Sequence, residues 1–224
     1  MVCSGIQLGV GAYNVHDVAL FARMNAGTVR RWFFGSNTGS AIMSGKDKER
    51  FLTFLDFMQA VAVRNLRMKH RVHLDKIREA IQYAETEFKM SHPFARPHAT
   101  WLDGKSIAIL PPQQEVAVHA TGRNKGQHVL KRILEPYLED VSFNPETGLA
   151  ESFKAYQFKD RTIKMNPEIH FGQPFVETVG ITAERLAAAV DEEGSLDAAA
   201  EAFGVHRDDV EAASHYIDSL QQVA

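Results

Sequence analysis

The chain has 224 residues, 45% of them hydrophobic, and 25 Lys and Arg against 28 Asp and Glu give a net charge of −3, enough apolar material for one or two packed domains. Its single cysteine, Cys3, excludes a disulfide framework and a cysteine-rich metal site and fits a reducing cytosol. The first residues lack a basic segment, and the longest apolar run, 51–63, is broken by Asp56 and Gln59. It also falls short of the roughly 20 residues of a membrane helix, so a soluble cytoplasmic protein is expected.

Asn14 is placed to cap a helix, with Asp17 where a carboxylate suits the helix dipole and Val18, Ala19 and Ala22 on its apolar face. Asn25 starts a second helix carrying Val29, Trp32 and Phe33 at helical spacing, and Gly35 ends it. Turn residues fill 35–40, and 41–43 reads as a short returning strand. Two short helices, a tight turn and a hairpin-like loop predict a winged helix-turn-helix.

Residues 50–68 are apolar on more than one face, and Leu74, Ile77, Ile81, Ala84 and Phe88 form a helical seam. The 51–66 stretch and this seam are the expected surface of a homodimer. A β-hairpin is predicted over 91–112 around the Asp103–Gly104 turn, and a short helix over 128–138. The alternation in 153–159 reads as a strand or an extended arm. Three helices follow over 182–194, 195–204 and 206–220, the first two stopped by Gly194 and Gly204. Ser195 and Asp208 are placed to start the second and third. Leu186, Val190, Leu196, Ala200, Phe203, Val205, Val210, Ala213 and Ile217 should share a small core. The expected class is mainly α with a small β element. It divides into a reader (1–48), a helical and β-hairpin middle (49–164) and a small helical end (165–224) that itself looks like a helix-turn-helix.

Charge separates along this plan. Residues 1–134 carry 19 basic and 10 acidic residues, a balance of +9, and residues 135–224 carry 6 and 18, a balance of −12. Stretches 18–46 and 57–74 contain no acid, and hold Arg23, Arg30, Arg31 and Lys46, and Arg64, Arg67, Lys69 and Arg71. Unopposed cations attract phosphate by releasing counterions. Thr28, Arg30 and Arg31 sit early on the second helix, where arginine forks reach bases and phosphates. Asn14, Arg23, Ser36, Asn37 and Thr38 complete the expected DNA-contacting set. The acidic end should repel DNA and suits a protein partner.

The stretch 11–35 resembles the MerR-like helix-turn-helix, with its capped first helix and its Thr28–Trp32 recognition helix. Residues 165–217 resemble the small domain of VapB-type antitoxins, on Asn166-Pro167, Phe171 to Pro174, Ile181, 192–205 and 208–216. They depart from it at Thr178, Val179 and Gly180, where the family shows Gly-Thr-Arg. The resemblance implies the antitoxin half of a toxin–antitoxin pair that blocks a PIN-domain ribonuclease toxin and represses its own operon through operator DNA. Phe153, Lys154, Tyr156, Phe158, Lys159, Arg161 and Lys164 mix aromatic anchors with basic tips. They read either as an arm laid across an acidic nuclease site or as an amphipathic strand closing the middle region.

No catalytic constellation is visible. Gly9 and Gly11 lack the glycine and lysine spacing of a phosphate loop. His70, His73, His92, His98, His119 and His128 lack metal-ligand spacing. No nucleophile motif or framed carboxylate pair is present. The expectation is a non-enzyme without cofactor or metal. A MerR-like transcriptional regulator sensing a small ligand, with no toxin partner, is the alternative.

Overall fold

The computed structural model describes residues 11–35, 41–43, 51–96, 100–103, 106–111, 116–129 and 140–221. Strand β1 (Gly11–Tyr13) leads into helix α1 (Val15–Phe21). Asn14 Oδ1 accepts the His16 and Asp17 amides, and the Asp17 carboxylate accepts the Asn14 amide at 2.8 Å, a reciprocal cap. Asn25 caps α2 (Ala26–Phe34) by accepting the Gly27 amide, and Gly35, at φ 74, ends it. The Trp32 carbonyl accepts both the Ile42 and Met43 amides. Residues 41–43 are therefore a bend closing the end of α2, not the expected returning strand, because their donors go to an orphan helix carbonyl. The expected wing, 36–40, lies outside the described residues.

Strand β2 (Leu52–Thr53) pairs with β1 and runs directly into α3 (Phe54–Met68). Thr53 and Asp56 form a second reciprocal cap, buried this time, and Asp56 Oδ1 also meets His92 Nε2 at 3.0 Å. Eleven of the fifteen α3 residues are buried, against β1, β2 and the 3₁₀ turn Pro93–Ala95. Phe57 touches Tyr13, Phe54 and Phe153. Helix α4 (Leu74–Phe88) buries Ile77, Ala80, Ile81 and Ala84 in the same core and packs on β4. Both surfaces expected to form a dimer are thus consumed inside one chain, since their apolar faces already have intramolecular cover. The predicted hairpin is present: β3 (Thr100–Asp103) pairs with β4 (Ser106–Ile109), and β5 (Val118–His119) adds a third strand. Of the predicted 128–138 helix, His128 forms a bridge to Val118, and 130–139 lie outside the described residues.

The second half departs most from expectation. Strands β6 (Val141–Phe143), β7 (Ala150–Phe158), β8 (Arg161–Met165), β9 (Phe175–Val176) and β10 (Ile181–Thr182) form an antiparallel meander. The chain is mixed α/β, with more sheet than the small β element expected. An irregularity between Lys154 and Tyr156 puts Phe153 opposite Met165 and Tyr156 opposite Ile163. The extra residue turns Phe153, Tyr156 and Phe158 onto one face, a pairing that plain period-2 counting misses. That face feeds two clusters, Phe153 and Met165 in the main core and Tyr156 and Ile163 in the C-terminal one.

Helices α5 (Ala183–Glu193), α6 (Leu196–Phe203) and α7 (Arg207–Gln221) pack on one another, with α7 lying against β7, β8 and β9. All nine residues expected to share their core belong to it, joined by Ile163, Val176 and Tyr216 from outside the predicted set. Ser195 caps α6 as expected. Asp208 lies inside the first turn of α7 instead of starting it; the His206 amide is accepted by buried Asp209.

Candidate nucleic-acid interface and the junction behind it

The exposed face of α2 follows from which of its residues the core takes. Val29, Trp32 and Phe33 are buried, which turns Arg30 and Arg31 to solvent on the opposite side, with Thr28 half-buried beside them. Arg31 Nη2 donates to Thr28 Oγ1 at 3.3 Å, linking two of the three expected recognition residues. Arg30 has no partner among the described residues. The helix has no acid in its first turn and a basic Arg31 in its last. Its free guanidinium forks are suited to phosphate oxygens or guanine edges.

The other expected DNA-contacting residues are placed differently. Asn14 is exposed, but its side chain is committed to the α1 cap. Arg23 sits in the turn between α1 and α2 at φ 52, a strained conformation for a residue with a Cβ. Its Nη2 donates to Ser219 Oγ of α7 at 2.9 Å, and Ser219 Oγ donates to the Tyr216 carbonyl at 2.6 Å. Arg23 is therefore half-buried and anchored backwards onto the C-terminal helix. Ser36, Asn37 and Thr38 lie outside the described residues.

The same junction holds groups that sequence reasoning missed as a site. Tyr13 Oη donates to the Gly172 carbonyl at 2.8 Å, and burial, aided by Asp17, pushes its phenol pKa up. A Cβ on Gly172, at φ +82, would stand 1.9 Å from Tyr13 Oη, so the glycine within 171–174 is required by the tyrosine 159 residues earlier. Arg64, half-buried on α3, has its guanidinium pKa lowered by burial and by Arg23. Tyr216 Oη is buried without a hydrogen-bond partner. A cleft of about 450 Å³ lies between α1, the start of α2 and Leu220, with Arg23 in its wall.

Each side chain of the expected toxin-contacting arm has a partner within the chain. Phe153 meets Phe57 edge-on, Tyr156 packs on Tyr216, and Phe158 stacks on His215 with ring centroids 4.3 Å apart. Lys154 pairs with Asp140, Lys164 with Glu177, and Lys159 with both Asp208 and Glu211. Arg161 pairs with Asp160, and its Nε stands 2.7 Å from Asp209 Oδ1 without hydrogen-bond alignment. Asp209 also accepts from Thr178 Oγ1 at 2.6 Å and from the His206 amide. The segment is strand β7 with its turn and β8, the second of the two readings its sequence allows.

Among the described residues, no three His, Cys, Asp or Glu side chains are grouped so as to hold a metal. No helix among them is long and apolar enough to cross a membrane. Two exposed apolar side chains, Ile169 and Phe171, stand on a short turn where His170 and Phe171 both have positive φ; Phe171 is 77% exposed.

Comparison with known proteins places these features. Residues 163–217 match a family described as a protein of unknown function, DUF433. A curated relative from Mycobacterium tuberculosis (strain ATCC 25618 / H37Rv), "Putative antitoxin VapB45", is 29% identical over 83 residues. That match covers 37% of this chain and spans only 34% of the relative's length. These matches support the resemblance to VapB-type antitoxins carried by the sequence. The fold is shared with the X-ray crystal structure of Rv2018 from Mycobacterium tuberculosis, at TM-score 0.61 and 18% identity over 92% of this chain and 98% of that one.

Proposed function

We propose that the chain is a non-enzymatic antitoxin of a toxin–antitoxin pair, which binds a PIN-domain ribonuclease and represses its own operon by binding DNA. The single observation that carries this reading is the similarity to an antitoxin relative. In this reading α1 and α2 form the helix-turn-helix of a winged reader, and Thr28, Arg30 and Arg31 make the contacts that select the operator. Two copies bound to half-sites about 34 Å apart would satisfy the usual geometry of such readers. Their mutual contact lies on surfaces other than α3 and the α4 seam. The wing residues Ser36, Asn37 and Thr38 add backbone contacts.

The toxin is assigned to the surface of the C-terminal helices and the turn before β9. Glu184, Asp191, Glu192, Glu193, Asp197 and Glu201 are exposed there, which disfavours DNA and suits a basic protein patch. Phe171, displayed on strained backbone, has the character of an anchor for a pocket on the partner.

Co-expression with the PIN-domain nuclease encoded next to this chain is the direct test. Rescue of growth and co-purification are expected, and Phe171→Ser should weaken the complex at least about 10-fold, the weight of one hot-spot side chain. The Arg30→Ala plus Arg31→Ala chain should bind its promoter duplex more weakly and lower the salt slope by about 2. A chain that binds its promoter but no neighbouring nuclease would instead be the regulator without a toxin. Unchanged promoter binding by the double variant would remove α2 as the reader.

A further inference from the structure

The junction behind the reader holds cationic and polar groups for which the fold has no internal use. Arg23 and Arg64 face each other closely enough for Arg23 to lower the Arg64 pKa, and both are half-buried. Neither has a carboxylate partner among the described residues. Holding two like charges together in a partly dry place raises the free energy of the empty chain. Arg23 occupies a strained backbone conformation there, and a buried Tyr216 hydroxyl next to it has no partner. Strain, like charge and an unsatisfied donor at one place are the marks of a site built for something that is not protein.

We propose that this junction binds a small phosphate-bearing molecule, its phosphoryl oxygens held by Arg23 and Arg64 and backed by the Tyr216 and Ser219 hydroxyls, with the remainder lying in the adjoining cleft. A phosphate dianion neutralises both guanidinium groups, whereas a single carboxylate leaves one charge unmatched. The planar forks of arginine match tetrahedral oxyanions bidentately. The cleft volume, about 450 Å³, is that of a small-molecule pocket. Duplex DNA is the poorer occupant: Ser219 holds Arg23 from behind, and the Tyr216 hydroxyl is out of reach of a rigid backbone. Asp17 also lines the cleft, but its carboxylate is turned to the Asn14 amide. The site joins α1, α3 and α7, so its occupant would fasten the basic half of the chain to the acidic end. It does not depend on the antitoxin reading.

Thermal unfolding of the full chain with inorganic phosphate, at ionic strength held constant with chloride, tests the site, and a phosphorus NMR titration gives the affinity. Phosphate at ten times its Kd should raise Tm by about 3–5 °C. Without phosphate, Arg64→Gln should melt at or above the wild-type temperature, because repulsion is relieved, and its phosphate response should vanish. Arg64→Lys, which keeps charge but not the fork, should bind at least about 10-fold more weakly. Arg185→Gln, losing one charge on α5, should respond like wild type. Four results would each overturn the proposal: no phosphate-specific shift in wild type, an undiminished shift in Arg64→Gln, a phosphate-free Arg64→Gln chain less stable than wild type, or an Arg64-dependent stabilisation given by duplex DNA alone.

Discussion

Replacing Gly172 with alanine tests the contact between the two ends of the chain. At φ +82 any L side chain is strained, by about 1–2 kcal/mol. The new Cβ would lie 1.9 Å from Tyr13 Oη and 2.8 Å from its Cζ, so the ring must move by more than an ångström. Tyr13 is fully buried between Phe21 and Phe57. Moving it breaks its 2.8 Å bond to the Gly172 carbonyl and strands a buried hydroxyl, a further loss of about 1–3 kcal/mol. The expected total is about 3–5 kcal/mol, or a fall in Tm of about 6–15 °C for a chain of this size. Urea and thermal melts of wild type, Gly172→Ala, Tyr13→Phe and the double variant form a cycle. Tyr13→Phe alone should lose about 1–2 kcal/mol, and on that background the alanine should be less harmful by at least about 1 kcal/mol, since the nearest clashing atom is gone. A loss below about 1 kcal/mol for Gly172→Ala, or strictly additive effects, would refute a direct tyrosine–glycine contact.

Further outcomes can be checked with the same melts. Phe57→Ala removes a fully buried ring touching three others and should destabilise by about 3–5 kcal/mol. Asn25→Ala should remove about 1 kcal/mol through the α2 cap and weaken promoter binding with it. Asp209→Ala should cost about 3–5 kcal/mol, because it leaves Arg161, Thr178 and the His206 amide without their shared acceptor. Lys159 holds the Asp208 and Glu211 carboxyl pKa values below their ordinary values, while theirs raise its own. The carboxylate contribution is present above the ordinary carboxyl pKa and is lost as pH falls through the lowered values. The Lys159 contribution is lost only as pH rises through its raised one. Acid unfolding of Lys159→Met should therefore start from a lower stability and fall less steeply with pH.

Much of the local structure is legible because it rests on contacts between neighbours in sequence. The Asn14–Asp17 and Asn25–Gly27 caps, the glycine ends of α5 and α6, and the spacing of the C-terminal core residues all act within a few positions. The Thr28, Arg30 and Arg31 face is legible for the same reason: the buried positions of one helix fix its exposed ones. The meander is harder to read, because the irregularity near Ala155 breaks the alternation and β9 and β10 are two residues each. The basic tips of 153–164 read as free cations because their acids, such as Asp208 and Glu211, lie about fifty positions on.

The sequence by itself determined where helices begin and end, which face of each is apolar, and that the chain is basic in front and acidic behind, since these depend on backbone caps and composition. Only the tertiary structure decided that the 51–66 helix is a core element rather than a dimer surface, that Arg23 turns back to Ser219, and that Arg23 and Arg64 share a junction with Tyr216. Those outcomes depend on which distant segments come to cover one another, and neither a helical period nor a charge count carries that information.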